Sequence, residues 1–437
     1  MDEIRYWNKE RETMDRDARR ALQLELLRQT VGSALKTQFY RRRLEKAGIH
    51  SLDDVRSLDD LKRVPFTTKD DLRENYPRGL LAADPTEVVR IHTSSGTTGT
   101  PTVIYHTQED LNSWTELVAR SIVATGAGPG DVFQNMMTYG MFTGGLGLHY
   151  GAERVGLTVI PVGGGNTKRQ IQLMKDFRTT VLHVTPSYCL HVHTKLDEAG
   201  VTRGELALRK AYMGAEPHSE NTRLKVEELY GIDVYNSYGL SEMNGPGVAF
   251  ECVYKNGMHA WEDAYVLEII DPATGENLGD EQEGEVVFTT LQRKATPLLR
   301  YRTRDLASVF GGECPCGRTC RRLSRITGRS DDMLIVGGVN VFPSQIEEVV
   351  MRIPEVGTNY QIRLTKEGSL DRLTVQVEIY SKMFSGNVRQ LDALRNRIKE
   401  ELKASIIINP AVELHEPGSL PVYEGKAKRV VDERPKL

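Results

Sequence analysis

Short runs of β-branched residues, set off by glycine, begin near residue 88 and constrain the fold more than any other feature. The runs are VVRIHTSS, LTVIPVGGG, TVLHVTPS, LRKAYMGAE and IDVYNSYG. Segments with helical spacing, such as TKRQIQLMKDF, lie between several of them. Strands that alternate with helices predict an α/β domain with a largely parallel sheet.

Other patterns flank this α/β region. Residues 1–85 are rich in charge and have helical apolar spacing, as in LQLELLRQTVGSAL, which predicts a helical lead-in. Residues 250–325 predict a small β unit. After GRSDD come segments typical of a turn, a helix, a strand and a second helix. We therefore predict a large N-terminal domain over 1–330 and a small α+β domain over 331–437.

Composition excludes several classes of function. The chain has 437 residues, of which 39% are hydrophobic and 27% charged, as in ordinary globular proteins. A net charge of −3 gives no basic field for nucleic acid or membrane partners. A charged N-terminus and the lack of an 18-residue apolar run predict neither a signal peptide nor a membrane helix. We expect a cytoplasmic protein, with a homodimer as one option for its assembly.

The segment IHTSSGTTGTP, at 91–101, concentrates hydroxyls and glycines in one loop after a predicted strand. Glycine lets a backbone approach an anion closely, and serine and threonine add neutral donors. The loop therefore fits either a phosphate cradle or a flexible surface turn. It is not a Walker A loop, because no lysine follows Gly96 or Gly99, and it lacks the Rossmann glycine fingerprint.

Further motifs follow this loop in a fixed order. They are YNSYGLSE (235–242), YRTRD (301–305), GRSDDMLIVGGVNVFPSQIEE (328–348) and PVYEGKAKR (421–429). The ordered set resembles the adenylate-forming superfamily of acyl-CoA synthetases, luciferases and peptide-synthetase adenylation domains. The short length, GAEP (214–217) and MFTGGLGLHYGAE (141–153) are most similar to the phenylacetate–coenzyme A ligase family. This resemblance implies that a carboxylate attacks the α-phosphate of ATP and that a thiol then displaces AMP.

The resemblance implies which residues hold the nucleotide. Tyr238 would stack on adenine, and Asp305 would accept hydrogen bonds from the ribose hydroxyls. Tyr238 could instead be an ordinary core tyrosine, and Asp305 could simply pair with Arg302 or Arg304. The remaining expected ATP and AMP contacts are Ser94, Ser95, Gly96, Thr97 and Thr98 on the phosphates, Gly214, Ala215 and Glu216 over adenine, and Asn236, Gly239, Ser241 and Arg329.

The resemblance also implies that Glu242 and Lys426 stabilise charge in the first step and that Asp331 lies at a hinge. Glu242 would hold Mg²⁺, a hard ion that prefers carboxylate oxygen, unless it is a solvated or capping glutamate. Lys426 would stabilise the charge that develops at the α-phosphate, whereas the nearby Lys428 would take no part in the reaction. Asp331 matches the hinge of a mobile C-terminal domain. The superfamily commonly has a lysine where this chain has Thr102, so one cation is missing from the loop.

The resemblance places an aromatic and glycine-rich segment near the acyl group, and this segment is the expected acid pocket. The residues assigned to it are Tyr139, Phe142, Gly144 and Gly145. Aromatic side chains would contact an aryl ring by offset or edge stacking, and glycines would leave room for it. The alternative is tight helix packing. An aryl acid fits this segment better than a long fatty acid.

Four of the five cysteines cluster in one region of the sequence. Cys252, His259, Cys314 and Cys316 can form a closed tetrahedral zinc site, which would be structural. Cys320 could replace His259 as the fourth ligand, and metal-free reduced thiols are the alternative.

These features predict an ATP-dependent aryl acid–coenzyme A ligase, with phenylacetate as the first candidate acid. The substrates would be the aryl acid, ATP with Mg²⁺, and coenzyme A. Three alternatives remain: another arylacetate or benzoate-like acid, transfer of the acyl adenylate to an amine or carrier protein, and a non-catalytic nucleotide-binding module with a zinc knuckle.

Overall fold

The structure is a computed structural model that describes residues 5–94, 100–141, 143–367, 370–383, 388–423 and 426–435. The helices in these residues are α1 Lys9–Glu12, α2 Arg16–Ala34, α3 Gln38–Lys46, α4 Lys69–Glu74, α5 Gln108–Ala124, α6 Thr143–Val155, α7 Thr167–Asp176, α8 Pro186–Glu198, α9 Glu220–Tyr230, α10 Pro343–Arg352 and α11 Val388–Ile406.

The strands in the same residues are β1 Val88–Thr93, β2 Val103–Thr107, β3 Val132–Asn135, β4 Thr158–Ile160, β5 Val181–Val184, β6 Lys210–Gly214, β7 Asp233–Leu240, β8 Gly245–Glu251, β9 Met258–Ala260, β10 Tyr265–Ile270, β11 Gly284–Thr290, β12 Tyr301–Ala307, β13 Val309–Phe310, β14 Arg322–Leu323, β15 Gly328–Arg329, β16 Leu334–Val336, β17 Val339–Val341, β18 Val356–Glu367, β19 Leu370–Ile379, β20 Ala411–His415 and β21 Val430–Asp432.

The chain forms two compact units, each built from two separate segments. The first unit comprises Met1–Gly163 and Tyr235–Arg325, and the second comprises Gly164–Val234 and Ile326–Leu437. The C-terminal segment thus packs with part of the α/β region. The predicted division of the chain into domains at residues 330 and 331 remains a prediction.

Helices open the first unit, as the spacing in residues 1–85 predicts. Helix α2 begins where the Asp15 side chain accepts hydrogen bonds from the first free amides of the helix. Its apolar face buries Leu27, Val31 and Ala34, which are at most 1% exposed. Capping boxes start α4 at Thr68 and α5 at Thr107, so polar residues set both helix starts.

The sheets of the first unit are more antiparallel than the strand–helix alternation predicts. Strands β3 and β4 pair in parallel, but β7, β8, β9, β14 and β13 pair in that order, each antiparallel to the next. Strands β10, β11 and β12 form a further antiparallel sheet. The physical reason is connection length, since the few residues between β7 and β8 permit a hairpin but no crossover. The predicted α/β class with a small β unit is confirmed.

The second unit combines the parallel pair β5 and β6 with the predicted α+β region. Strand β18 pairs antiparallel with β19, and β21 and β20 add in parallel on the two outer sides. Helices α10 and α11 pack against each other, and α10 also packs on α9. The predicted helix, strand and helix correspond to α10, β19 and α11, but the sequence pattern did not predict β18, β20 or β21.

Polar contacts join the two segments of the second unit. The carboxylate of Glu347 accepts hydrogen bonds from the Ser219 amide at 3.0 Å and the Thr222 hydroxyl at 2.5 Å. The ammonium of Lys225 donates to the carbonyls of Val356 and Gly357. A polar interface of this kind can separate more readily than a large apolar one.

Among the described residues, no helix combines the length and the apolar character needed to cross a membrane.

Candidate active site

The hydroxyl–glycine loop joins β1 to β2, which pair antiparallel up to Thr93 and Val103. Ser94 and Thr102 close its neck, because the Ser94 amide donates to the Thr102 carbonyl at 3.1 Å and the Thr102 amide donates to Ser94 Oγ at 3.0 Å. The loop therefore follows a strand, as predicted, but lies in a hairpin rather than a strand–helix crossover. Ser95, Gly96, Thr97 and Thr98 lie outside the described residues.

Glu242 lies directly against this neck. It belongs to the short helical turn Ser241–Met243 after β7, and it is 6% exposed. Its Oε1 accepts a hydrogen bond from the Thr102 hydroxyl at 3.3 Å, and its backbone carbonyl accepts one from Arg293. A buried carboxylate beside a hydroxyl-rich loop is a suitable ligand for the Mg²⁺ of a nucleotide phosphate.

Tyr238 and Asp305 meet although 67 residues separate them, since the Tyr238 hydroxyl donates to Asp305 Oδ2 at 2.7 Å. Arg302 and Arg304, the alternative partners of Asp305, instead pair with the buried carboxylate of Glu285. The two residues expected to contact adenine and ribose are thus held together within the first unit.

Other predicted nucleotide residues of this unit support the hairpin of β7 and β8. The Asn236 amide donates to Glu251 at 2.7 Å, and Ser241 Oγ lies 3.2 Å from the Thr143 hydroxyl. A Cβ on Gly239 would lie only 1.8 Å from the Gly245 carbonyl oxygen, so this position requires glycine. The backbone at Gly239 therefore approaches its partner strand more closely than any side chain would permit.

In the second unit, Glu216 holds the loop that carries Lys426. The Glu216 carboxylate accepts hydrogen bonds from the Ala427 amide at 2.5 Å, the Ser187 hydroxyl at 2.8 Å and the Ser187 amide at 3.2 Å. Burial raises the pKa of Glu216, while these donors lower it. Gly214 ends β6, and Ala215 has a left-handed φ of 67°. The backbone thus turns sharply at Ala215, directly before the Glu216 side chain that contacts Ala427.

The predicted hinge residue and its arginine neighbour pair with each other. Arg329 Nε and Nη2 donate to the Asp331 carboxylate at 2.9 and 3.0 Å. The exposed Lys426 lies close enough to Asp332 to lower the pKa of that carboxyl, which burial raises overall. In this conformation Arg329 therefore engages the hinge, and its role at the nucleotide stays a prediction.

In the predicted acid-pocket segment, polar neighbours hold the side chain of Tyr139. The Tyr139 hydroxyl accepts a hydrogen bond from Asn135 Nδ2 at 2.8 Å and lies 3.0 Å from His149 Nδ1. Burial raises the pKa of Tyr139 to about 12, so the hydroxyl stays protonated at neutral pH. Asn135, which sequence reasoning missed, also donates to the Gly145 carbonyl at 2.7 Å. Phe142 lies outside the described residues.

Several glycines of this segment serve helix packing. Added Cβ atoms at Gly147 and Gly151 would lie 2.4 Å from Trp114 and 2.2 Å from Val118. Helix α6 therefore packs on α5 at a distance that only glycine permits. An added Cβ at Gly145 would also crowd the Thr138 carbonyl, at 2.8 Å, whereas one at Gly144 would make an ordinary contact at 3.5 Å. Both remain predicted acid-pocket residues.

Cys252, His259, Cys314 and Cys316 come together in a buried cluster of the first unit, with all four candidate ligand atoms within 4.8 Å of one another. Cys252 Sγ and Cys314 Sγ lie 3.7 Å apart, and Cys316 Sγ lies 3.3 Å from His259 Nε2. Two sulfurs on a tetrahedral zinc, each about 2.3 Å from the metal, would be about 3.8 Å apart. The donor set and its spacing therefore fit zinc.

Cys320 lies on the other side of the imidazole, where its Sγ is 3.5 Å from His259 Nδ1. A metal-binding histidine usually engages a second group through its remaining nitrogen, and that contact orients the ring. The geometry thus favours His259 as the fourth ligand and Cys320 as the residue that orients it.

Comparison with known proteins agrees with the motif order. The model of the AMP-binding enzyme family matches residues 26–292, and that of the AMP-binding enzyme C-terminal domain matches residues 338–434. A 2-hydroxyisobutyryl-CoA ligase, solved in the postadenylation state with 2-HIB-AMP, superposes with a TM-score of 0.92 at 29% identity over 98% of this chain and 92% of that chain.

Curated relatives define the family more narrowly. The phenylacetate-coenzyme A ligase of Pseudomonas putida is 47% identical over 97% of this chain and 96% of that protein. The enzyme of the same name from Escherichia coli strain K12 is 45% identical over 97% of both chains. The chain belongs to the AMP-binding enzyme family and, within it, to the phenylacetate–coenzyme A ligases.

Proposed function

We propose that this protein joins phenylacetate to coenzyme A at the expense of ATP, through an acyl-adenylate intermediate. The observation that carries the proposal is the placement of Glu242 against the neck of the hydroxyl–glycine loop, in a unit that also pairs Tyr238 with Asp305. An adenosine held by Tyr238 and Asp305 and phosphates held by Glu242 and the loop would belong to one bound nucleotide.

In the first half-reaction, a carboxylate oxygen of the acid attacks the α-phosphorus of ATP, and the bond to the β-phosphate oxygen breaks. Pyrophosphate leaves with the electron pair. The loop hydroxyls and amides bind the phosphates, and Lys426 stabilises the charge that develops on the α-phosphate. Mg²⁺ held by Glu242 would neutralise phosphate charge when it is bound.

In the second half-reaction, the coenzyme A thiolate attacks the acyl carbonyl and AMP leaves. The Ala427 amide, beside Lys426, donates a hydrogen bond to Glu216. A turn of the C-terminal region about Asp331 would break this bond together with the hydrogen bonds of Glu347 and Lys225 described above. Polar contacts of this kind can exchange with water, which supports a mechanism in which the C-terminal region turns between the two half-reactions.

A panel of acids tests the proposal. Purified protein with ATP, Mg²⁺ and coenzyme A is offered phenylacetate, benzoate, 2-hydroxyisobutyrate and hexanoate, and AMP and thioester are measured. We expect the highest kcat/KM with phenylacetate. AMP without thioester would indicate transfer to an amine or a carrier protein, and no pyrophosphate with any acid would contradict the proposal.

We also propose that the cluster of Cys252, His259, Cys314 and Cys316 binds a structural zinc ion. All four residues are buried, so the site would have no open position for a substrate. The zinc would stabilise the fold without entering the reaction. A cytoplasmic location and a homodimer stay predictions of the sequence.

Tyr139 provides a test of the acid pocket. Tyr139→Ala removes a large aromatic side chain, and we expect KM for phenylacetate to rise about 5- to 150-fold, the equivalent of roughly 1–3 kcal/mol of lost contact. KM for ATP should change less than about twofold. Tyr139→Phe keeps the ring and should retain most of the affinity. Equal increases in both KM values would indicate that the residue only supports the fold.

A further inference from the structure

Arg293 is a buried cation with donor atoms to spare. It is 3% exposed, and its Nη1 donates to the backbone carbonyl of Glu242. Its Nε and Nη2 have no hydrogen-bond partner among the described residues. A guanidinium stays protonated in proteins, and burying a charge with unsatisfied donors is unfavourable. An additional acceptor, best an anion, would remove this cost.

The carboxylates near Arg293 are already engaged. Asp110 lies within electrostatic range, but its oxygens accept the amides of Thr107, Lys294 and Ala295 at 2.7–3.1 Å. Glu242 also lies within range, and its Oε1 accepts the Thr102 hydroxyl. Asp110 and Glu242 thus balance the charge of Arg293 without a direct hydrogen bond to their side chains. The Nε and Nη2 atoms of Arg293 lack an acceptor in the described residues.

Glu242 connects Arg293 to the hydroxyl–glycine loop. Glu242 touches Arg293 through its backbone and Thr102 through its side chain, and Thr102 closes the loop neck with Ser94. Glu242 therefore lies between the guanidinium of Arg293 and Thr102 at the end of the loop. The loop itself, from Ile91 to Thr102, contains no lysine or arginine.

Two histidines on the strands that carry the loop add further unsatisfied groups. His92 on β1 and His106 on β2 have ring centroids 5.4 Å apart. His92 Nε2 and both nitrogens of His106 are buried with no hydrogen-bond partner in the described part of the chain. Burial lowers the pKa of His106 to about 2 and also lowers that of His92, with the nearby charge of Arg293 contributing to both. Both rings are therefore neutral, and Arg293 supplies the positive charge.

We propose that Arg293 binds the terminal phosphates of ATP and the pyrophosphate that leaves, and so supplies the cation that the loop itself lacks. The inference rests on the proposed function. As the bond between the α-phosphorus and the bridging oxygen breaks, the electron pair moves onto pyrophosphate. A guanidinium can donate two parallel hydrogen bonds to that developing charge.

The test compares Arg293→Gln and Arg293→Lys with the neighbouring control Lys294→Gln, whose exposed ammonium pairs with Glu109. Binding of pyrophosphate, ATP and AMP is measured separately by calorimetry, with no acid or coenzyme A present. We expect Arg293→Gln to weaken pyrophosphate and ATP binding about 10²-fold and AMP binding less than twofold. Arg293→Lys should recover part of the loss, and the control should match the wild type.

Equal losses of ATP and AMP affinity, or unchanged pyrophosphate binding in folded Arg293→Gln, would overturn the assignment and leave Arg293 as a structural residue whose donors bind water. If Arg293→Gln does not fold, Arg293→Lys decides by the same ratio of pyrophosphate to AMP binding. Thioester formation from supplied acyl adenylate should survive in both variants. Because the binding measurements need no acid, they give a result even if no acid is activated.

Discussion

Lys426→Ala should slow adenylate formation by a factor of about 10² to 10³ and leave thioester formation from supplied acyl adenylate almost unchanged. The reason is that a preorganised charge at the reacting phosphate acts only on the first transition state. The neighbouring Ala427 amide donates a hydrogen bond to Glu216, which fixes the backbone beside Lys426. Single-turnover assays of each half-reaction provide the measurement.

Lys428→Ala is the matched control for this experiment. Lys428 is exposed, lies two residues farther along the same loop and carries the same charge. Its removal should change both half-reactions less than about threefold. If Lys426→Ala slows both half-reactions equally, the lysine supports structure and the two-state mechanism is wrong.

Loss of the proposed zinc site should have the largest effect on stability. We expect purified protein to contain about one zinc per chain, and Cys316→Ser to lose it together with about 4 kcal/mol or more of stability, a size typical of lost metal sites. Thermal unfolding and metal analysis measure both effects. Enzyme that remains folded should keep its preference among acids, because the cluster contributes no group to the chemistry.

Two further cysteines separate a metal effect from a general thiol effect. Cys189 is buried elsewhere in the chain, so Cys189→Ser should retain zinc. Cys320→Ser should retain zinc but bind it about 10- to 100-fold more weakly, as expected when the group that orients a metal-binding histidine is lost. Protein that purifies metal-free and is unaffected by Cys316→Ser would support reduced thiols instead.

Features with a local or chemical signature could be predicted from the sequence. Strand and helix periods are local properties, and they placed β5, β6, α10 and α11. The ligand chemistry of cysteine and histidine predicted that Cys252 and Cys314 lie together although 62 residues separate them.

Features that depend on tertiary burial could not be predicted in this way. Arg293 lies in LQRKATP, which looks like a solvated surface segment, and only the fold shows that its guanidinium is enclosed. The Ala427 amide meets Glu216 across 211 residues, and a backbone group has no sequence signal of its own. The close approach of β7 to β8 at Gly239 is likewise a tertiary feature that a strand pattern does not reveal.

The buried ion pair between Glu12 and Arg318 has a consequence for biosynthesis. Its atoms are 2.7 Å apart, its side chains are 0% and 1% exposed, and 306 residues separate the partners in sequence. Tyr6 likewise donates to the carbonyl of Cys316. A ribosome that adds about 5–20 residues per second reaches Arg318 about 15–60 s after Glu12. During that interval Glu12 must remain hydrated, since burial of an unpaired carboxylate is costly. Neither docking of the first helix nor assembly of the cysteine cluster can therefore be completed until late in translation, when the nascent chain first contains both partners of these contacts.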